Sequence, residues 1–318
     1  MREAEARRRI DGEGASGLVL GARVIGSVRP WSFSMTVISV SLGTLAAGAE
    51  GRLDWALAVL ALLGALCQHA ATNLGNDYFD FKNGIDTAGA PAVRARRHPL
   101  VEGTLEPRHV LGGAVGFWAA AVLIGGALSL LRGWELGVLT AIGVLAGFFY
   151  SAGPLRLKGR ALGEITAFLM WGPLMVLGAF FVQRATFSGS LHALLLSVPQ
   201  GLWVALVLLA NNLRDREADA AIGIHTPATL LGRKRAVSLA VALSAGAYLI
   251  IAAAVLLGFL RGWSLFVFLS TPLSVVLLRS FTSPRGVSGS APAAAARTAM
   301  VFGLLLVFSV AAGGIARG

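Results

Sequence analysis

The chain has 318 residues, 56% of them hydrophobic and only 14% charged, with 40 glycines and a mean hydropathy of +0.73. These values exclude an ordinary soluble domain and a disordered chain, and point to a protein that lies mostly within a bilayer. The net charge of +11 comes from 27 Lys and Arg against 16 Asp and Glu; no basic-aromatic interleaving accompanies it, so no nucleic-acid partner is expected and the cations need a topological explanation.

In chain order, a polar, basic segment (1–25) precedes a single transmembrane domain (26–318). Spans of roughly 20 apolar residues are read at 26–48, 53–75, 109–131, 134–151, 162–183, 191–213, 236–259, 262–280 and 296–316. The expected fold is therefore an all-α bundle of about nine transmembrane helices, the fourth the shortest. The first span is too long for a signal-peptide core and lacks a small-residue cleavage site, so it is expected to be retained. Cys67, the sole cysteine, excludes an intramolecular disulfide and a cysteine-ligated metal.

The Lys and Arg alternate between the two sides. The N-terminal segment and the loops after the second, fourth, sixth and eighth spans hold 22, whereas the opposite side holds only Arg52, Arg132, Arg184, Arg261 and Arg317. The positive-inside rule places the richer side, with the N-terminus, in the cytoplasm.

Two polar clusters stand out at span ends on that side. The second span runs into Asn73-Leu-Gly-Asn-Asp-Tyr-Phe-Asp-Phe-Lys-Asn-Gly-Ile-Asp86. A helix continued through it puts Asn73, Asn76, Asp77 and Asp80 on one face, until Gly84 breaks it and leaves Asp86 in the loop. The sixth span ends in Asn-Asn-Leu-Arg-Asp-Arg-Glu-Ala-Asp, where Asn211, Asn212, Asp215 and Asp219 share a face and Glu217 points away. Both helices run in the same direction, so the clusters emerge at one boundary and are able to face each other. Ionisable groups there are costly and usually functional. Their hard oxygen donors suit Mg²⁺, and the gap between them suits a Mg²⁺-bridged diphosphate. Arg214, Lys158 and Arg156 are the nearest candidate cations. His98, His109 and His225 lack metal-ligand spacing and are read as solvated or loop-structuring.

These motifs resemble the two aspartate-rich motifs of the UbiA superfamily of intramembrane aromatic prenyltransferases. "RPWSF" (29–33), "RRHPLVEGTL" (96–105) and "YSAGPLRLKGRALGE" (150–164) extend the similarity, which is greatest to the menaquinone branch acting on 1,4-dihydroxy-2-naphthoate. The displacement of the third aspartate from position 84 to Asp86 is a feature of that branch. The resemblance implies a helical bundle with a central cavity open laterally to membrane lipid. It assigns Asn73, Asp77 and Asp80, with Asp86, to one Mg²⁺ site, Asp215 and Asp219 to the other, and Asn212 to a supporting role. It brings Tyr150 and Lys158 toward the diphosphate, the substrates being a polyprenyl diphosphate and an aromatic acceptor. The implied location is the bacterial cytoplasmic membrane. Trp171, Met175 and Phe168 are candidates for the acceptor pocket. An acceptor such as 4-hydroxybenzoate or homogentisate, or a membrane transporter, remains the alternative; a transporter would place its charges near the bilayer midplane.

Overall fold

The computed structural model describes residues 26–49, 51–95, 98–283 and 287–313. The segment 1–25, Arg96 and Arg97 lie outside the described residues. Among those described the fold is all-α, with no strand and one isolated bridge between Arg160 and His225. A 3₁₀ turn, Pro30–Ser32, leads into α1 (Phe33–Ala49), followed by α2 (Trp55–Lys82), the short α3 (Pro91–Ala95), α4 (Pro107–Arg132) and α5 (Glu135–Ser151). Then come α6 (Gly163–Arg184), α7 (Leu191–Ala221), α8 (Pro227–Leu256), a 3₁₀ stretch Gly262–Ser270 continuing into α9 (Thr271–Phe281), and α10 (Ala291–Ala311). Eight of these described segments are long and apolar enough to cross a bilayer; the 17-residue Glu135–Ser151 is the shorter ninth.

The helix ends differ from the apolar windows for local reasons. The helix α2 continues beyond residue 75 to Lys82, and the chain turns at Gly84, whose φ of +72° suits glycine. The helix α8 starts nine residues before its apolar window because Pro227 at the first turn and a Thr226/Thr229 capping box initiate it there. The helix α6 is broken: an α segment to Leu169 passes through a π-turn at Met170–Leu174, with Gly172 non-helical and Pro173 lacking an N–H, before resuming at Met175.

The helix α7 is the most buried of the spans. Trp203, Leu206 and Leu209 on it pack with Ile38 and Leu42 of α1, Phe180 of α6, Ile251 of α8 and Phe302 of α10. Apolar burial is not the driving term between helices in lipid, so close backbone approach has to hold the bundle. It does so at Gly201, where an added Cβ would lie 2.7 Å from the Phe168 carbonyl oxygen. Large apolar side chains such as Leu123, Leu130, Leu249 and Leu269 face outward, toward the lipid expected around an integral membrane protein. A smaller cluster, Val28, Leu74, Val110 and Ala114, binds the entry to α1 to α2 and α4, and so seats Arg29 beside the end of α2.

Candidate active site

The spans enclose a cavity of about 710 Å³ with a polar end and an apolar body. Arg29, Asn73, Asn76, Asp80, Asp86, Tyr150, Lys158, Asn211, Asn212, Arg214, Asp215 and Asp219 line the polar end; Leu128, Leu139, Val144, Leu174 and Val204 are among those lining the body. The two clusters thus meet across one space, and Asp80 and Lys158 lie within electrostatic reach of Asp219.

The α2 cluster is buried and paired over long sequence distances. Asp77, 1% exposed, forms an ion pair with Arg29, which the chain presents from a left-handed backbone (φ +56°) just before Pro30. Asp77 does not line the cavity; it anchors the arginine that does. Asn73 donates to the Val28 carbonyl (2.8 Å) and to Ser32 Oγ (3.3 Å), tying down the same turn. Asp80 is ion-paired with Lys158 through Oδ2, while its Oδ1 is buried with no hydrogen-bond partner. Asn76 Oδ1 accepts from Lys158 Nζ (2.8 Å) and Ser151 Oγ (2.6 Å). Lys158 sits on the turn Leu157–Gly159, which is held by backbone bonds from Ala161 to His225 and from His225 to Gly159, a clasp between the α5–α6 and α7–α8 loops.

Asp86 folds back over the end of α2, its N–H reaching the Asp80 carbonyl (3.3 Å), and accepts from His98 Nε2 at 2.9 Å. Burial works to raise its pKa, but the His98 hydrogen bond and the charges of Lys158, His98 and Arg29 outweigh it and hold the carboxyl below its ordinary value. For Arg29 burial works downward, and the Asp77 charge and hydrogen bond, with Asp86 and Asp80, carry the guanidinium above its usual value. Ligand atoms of Asp77, Asp86 and His98 lie within 4.8 Å of one another.

The α7 cluster is paired locally. Asp215 takes a bidentate bond from its neighbour Arg214 (2.7 and 2.6 Å), Asn212 donates to Glu164 Oε1 at 2.8 Å, and Asn211 bonds the Val207 carbonyl of its own helix. Glu217 is 90% exposed, on the face away from the cavity.

Several sequence expectations need correction. Arg156 lies outside the cavity, exposed and donating to Asn83 Oδ1 at 3.0 Å, because its left-handed backbone turns the side chain to the rim. Phe168 packs on Gly201 and is not part of the cavity wall, whereas Trp171 and Met175 are. Of the two roles expected for His98, solvated or loop-structuring, the second holds: it is fully buried, bonded to Asp86 and accepting from the Val101 N–H at 3.4 Å. Arg29, counted in the sequence only as a topology charge, and Glu164 are site groups the composition did not single out. Both stand inside segments that carried the resemblance, but their roles depend on non-local pairing.

The UbiA prenyltransferase family profile matches residues 36–310. The chain is 32% identical over 253 residues, 80% of each chain, to 1,4-dihydroxy-2-naphthoate octaprenyltransferase of Bacillus subtilis (strain 168). It is 36% identical over 210 residues to UbiA prenyltransferase domain-containing protein 1 of Gallus gallus, covering 65% of this chain and 61% of that protein. Its fold is similar, with a TM-score of 0.64 and 16% identity over 91% of this chain and 99% of the other, to a UbiA homolog from Archaeoglobus fulgidus bound to GPP and Mg²⁺. A bundle of bilayer-length helices around one cavity, two aspartate clusters at its mouth and a profile match over most of the sequence lead to one assignment: the chain belongs to the UbiA prenyltransferase family and is an integral-membrane prenyltransferase.

Proposed function

We propose that the protein transfers a polyprenyl group from polyprenyl diphosphate to 1,4-dihydroxy-2-naphthoate, with Mg²⁺ as cofactor, from the cytoplasmic face of a bacterial inner membrane. The observation that carries this reading is the meeting of Asp80 and Asn76 with Asp215 and Asp219 at the mouth of an apolar cavity that also holds Lys158 and Arg214. The donor set fits the metal. It is made of hard oxygens, and Asp80 Oδ1 is a buried carboxylate oxygen left without a protein partner. Four lining aspartates (80, 86, 215, 219) against Arg29, Lys158 and Arg214 leave the mouth net negative, which repels a bare diphosphate and favours dications. Asp80 and Asp86 with Asn73, joined by Asp77 once it releases Arg29, would serve one ion, Asp215 and Asp219 the other, with Asn212 steadied by Glu164.

When bound, Mg²⁺ supplies Lewis-acid stabilisation of the charge that grows on the departing pyrophosphate. The protein's own groups do the rest. Lys158, Arg214 and Arg29, neutralised by carboxylates in the ligand-free geometry, are positioned to turn toward phosphate oxygens, with Tyr150 beside them. The bond between prenyl C1 and the diphosphate oxygen breaks, its electron pair leaving with pyrophosphate. The apolar wall keeps water from the allylic cation and receives the isoprenoid tail. A ring carbon of the acceptor bonds to C1, and loss of a proton, or of carbon dioxide from a carboxylated carbon, restores aromaticity.

The naphthoate acceptor is supported by the octaprenyltransferase relative and by the displacement of the third aspartate to Asp86. The test is a competition in nanodiscs with Mg²⁺ and one polyprenyl diphosphate, offering 1,4-dihydroxy-2-naphthoate, 4-hydroxybenzoate and homogentisate. Prenylated naphthoate is expected to dominate; preferential prenylation of 4-hydroxybenzoate removes the acceptor assignment and leaves prenyl transfer standing.

A further inference from the structure

Below the polar mouth, the wall of the cavity carries a hydrogen-bonded chain that the reaction above does not use. At the π-turn in α6 the Trp171 carbonyl accepts from Ser39 Oγ of α1 at 2.6 Å, a hydroxyl that also lies 2.9 Å from the Met35 carbonyl of its own helix. The Trp171 indole N–H donates to Thr36 Oγ1 of the same helix, one turn earlier, at 3.1 Å. Thr36 Oγ1 lies 2.8 Å from His69 Nδ1. Since that oxygen already accepts from the indole, its proton is assigned toward Nδ1, so Nε2 carries the ring proton and donates to Ser32 Oγ at 3.1 Å. Ser32 in turn donates to the Arg29 carbonyl at 2.7 Å. The His69 ring meets the indole edge to face, with centroids 4.8 Å apart and planes at 76°.

We infer that Trp171 is the platform on which the ring of the aromatic acceptor stacks, held in place by Thr36, His69 and Ser39, an inference that rests on the prenyl-transfer reading above. Three features carry it. The first is position: His69 lies one turn before Asn73 on α2, about 6 Å further into the cavity, and both it and Trp171 line the wall. The indole is therefore beside the place where the reacting carbon of a diphosphate-anchored chain emerges. The second is chemistry: the polar atoms of the chain are engaged with one another, so Trp171 offers the cavity a π surface rather than a free donor, suited to a flat ring. The third is rigidity. A flexible isoprenoid tail needs only an apolar wall, whereas attack on the allylic carbon needs a ring held at one height and tilt. A tryptophan bonded at its indole N–H and its backbone carbonyl and packed against the His69 ring provides that.

The test is steady-state kinetics of the full chain in nanodiscs, with each substrate varied at saturating concentration of the other. Trp171→Leu is expected to raise the acceptor KM about tenfold, the upper range for loss of one aromatic pair, and to leave the KM for prenyl diphosphate within about twofold. Trp171→Phe, which keeps a ring, is expected to fall between. Thr36→Val, nearly isosteric, removes the indole's anchor without touching the cavity surface and is expected to raise the acceptor KM about threefold; it decides the matter if Trp171→Leu does not fold. In the absence of prenyl diphosphate, 1,4-dihydroxy-2-naphthoate should quench wild-type fluorescence more than that of Trp171→Phe. Equal rises in both KM values, or a rise confined to prenyl diphosphate, overturn the platform while leaving prenyl transfer intact. A wild-type protein that prenylates no acceptor overturns the underlying reading itself.

Discussion

The two aspartate clusters look alike in sequence, an Asn-Asp face at the end of a bilayer helix, yet they are built differently. On α2, Asp77, Asp80 and Asp86 are 1%, 3% and 8% exposed and draw partners from three separate places: Arg29 before α1, Lys158 between α5 and α6, and His98 after α3. On α7, Asp215 pairs with the residue before it, and Glu164 holds Asn212 from α6. In the first cluster every aspartate is tied to a distant segment; in the second the distant tie falls on Asn212, and Asp215 is paired within its own helix. A carboxylate in the first therefore holds structure as well as ligand, because its buried ion pair joins segments far apart in the chain. A carboxylate in the second is freer to serve the ligand alone.

The largest expected effect tests whether both are needed. Asp80→Asn and Asp215→Asn are each expected to lower turnover by about 10²- to 10³-fold, in the range seen when one electrostatic stabiliser of a transition state is lost; initial rates of pyrophosphate release measure it. Stability then separates the clusters. Asp77→Asn removes a fully buried carboxylate that ties the entry of α1 to α2 and is expected to cost about 1–3 kcal/mol in thermal or denaturant unfolding, whereas Asp215→Asn, whose ion pair only joins neighbours on one helix, should unfold closer to wild type. Equal destabilisation by both would erase the contrast.

Lys158→Met is expected to raise the KM for prenyl diphosphate about tenfold, because the lysine bridges Asn76 and Asp80 at the spot where a phosphate would displace those contacts. The acceptor KM should move little. His98→Ala should lower turnover by several-fold, since it loosens Asp86 without removing an acidic group. The smallest effects belong outside the cavity: Glu217→Gln and Arg156→Gln are expected to stay within about twofold of wild type in both kinetic constants. A loss with Glu217→Gln as large as that with Asp215→Asn would mean that α7 presents another face to the substrate.

Much of this was legible in the sequence, and the reasons differ by residue. Helix periodicity alone puts Asn73, Asn76 and Asp80 on the wall and turns Glu217 away, because the face of a regular helix depends only on residue spacing. It also groups Asp77 with them, whereas Asp77 sits off the wall against Arg29. The charge alternation that reads as topology also groups Arg29, Lys158 and Arg214 at one end of the bundle. What periodicity does not reach is pairing across the chain. Arg29 and Asp77 are 48 residues apart, and no local signal distinguishes that arginine from the other cations of the same side. His98 reads as a loop histidine because its burial comes from its seat beside Asp77 and Asp86 at the end of α2, not from an apolar neighbourhood in sequence. Trp171 was visible as a pocket candidate, but its clamp depends on a π-turn whose only local signs are Gly172 and Pro173. Arg156 stands near a helix end in sequence, yet its exposed side chain bonds Asn83 instead of lining the cavity.

The most direct test of the account is metal-dependent turnover of the purified full chain in nanodiscs, supplied with a polyprenyl diphosphate and 1,4-dihydroxy-2-naphthoate, with pyrophosphate and prenylated product quantified together. Equimolar release of both is expected in Mg²⁺, with loss of both in EDTA, recovery when excess Mg²⁺ is restored, and no comparable recovery in Asp80→Asn or Asp215→Asn. Prenylated product formed at an undiminished rate in EDTA, or at the wild-type rate by Asp215→Asn, would contradict it.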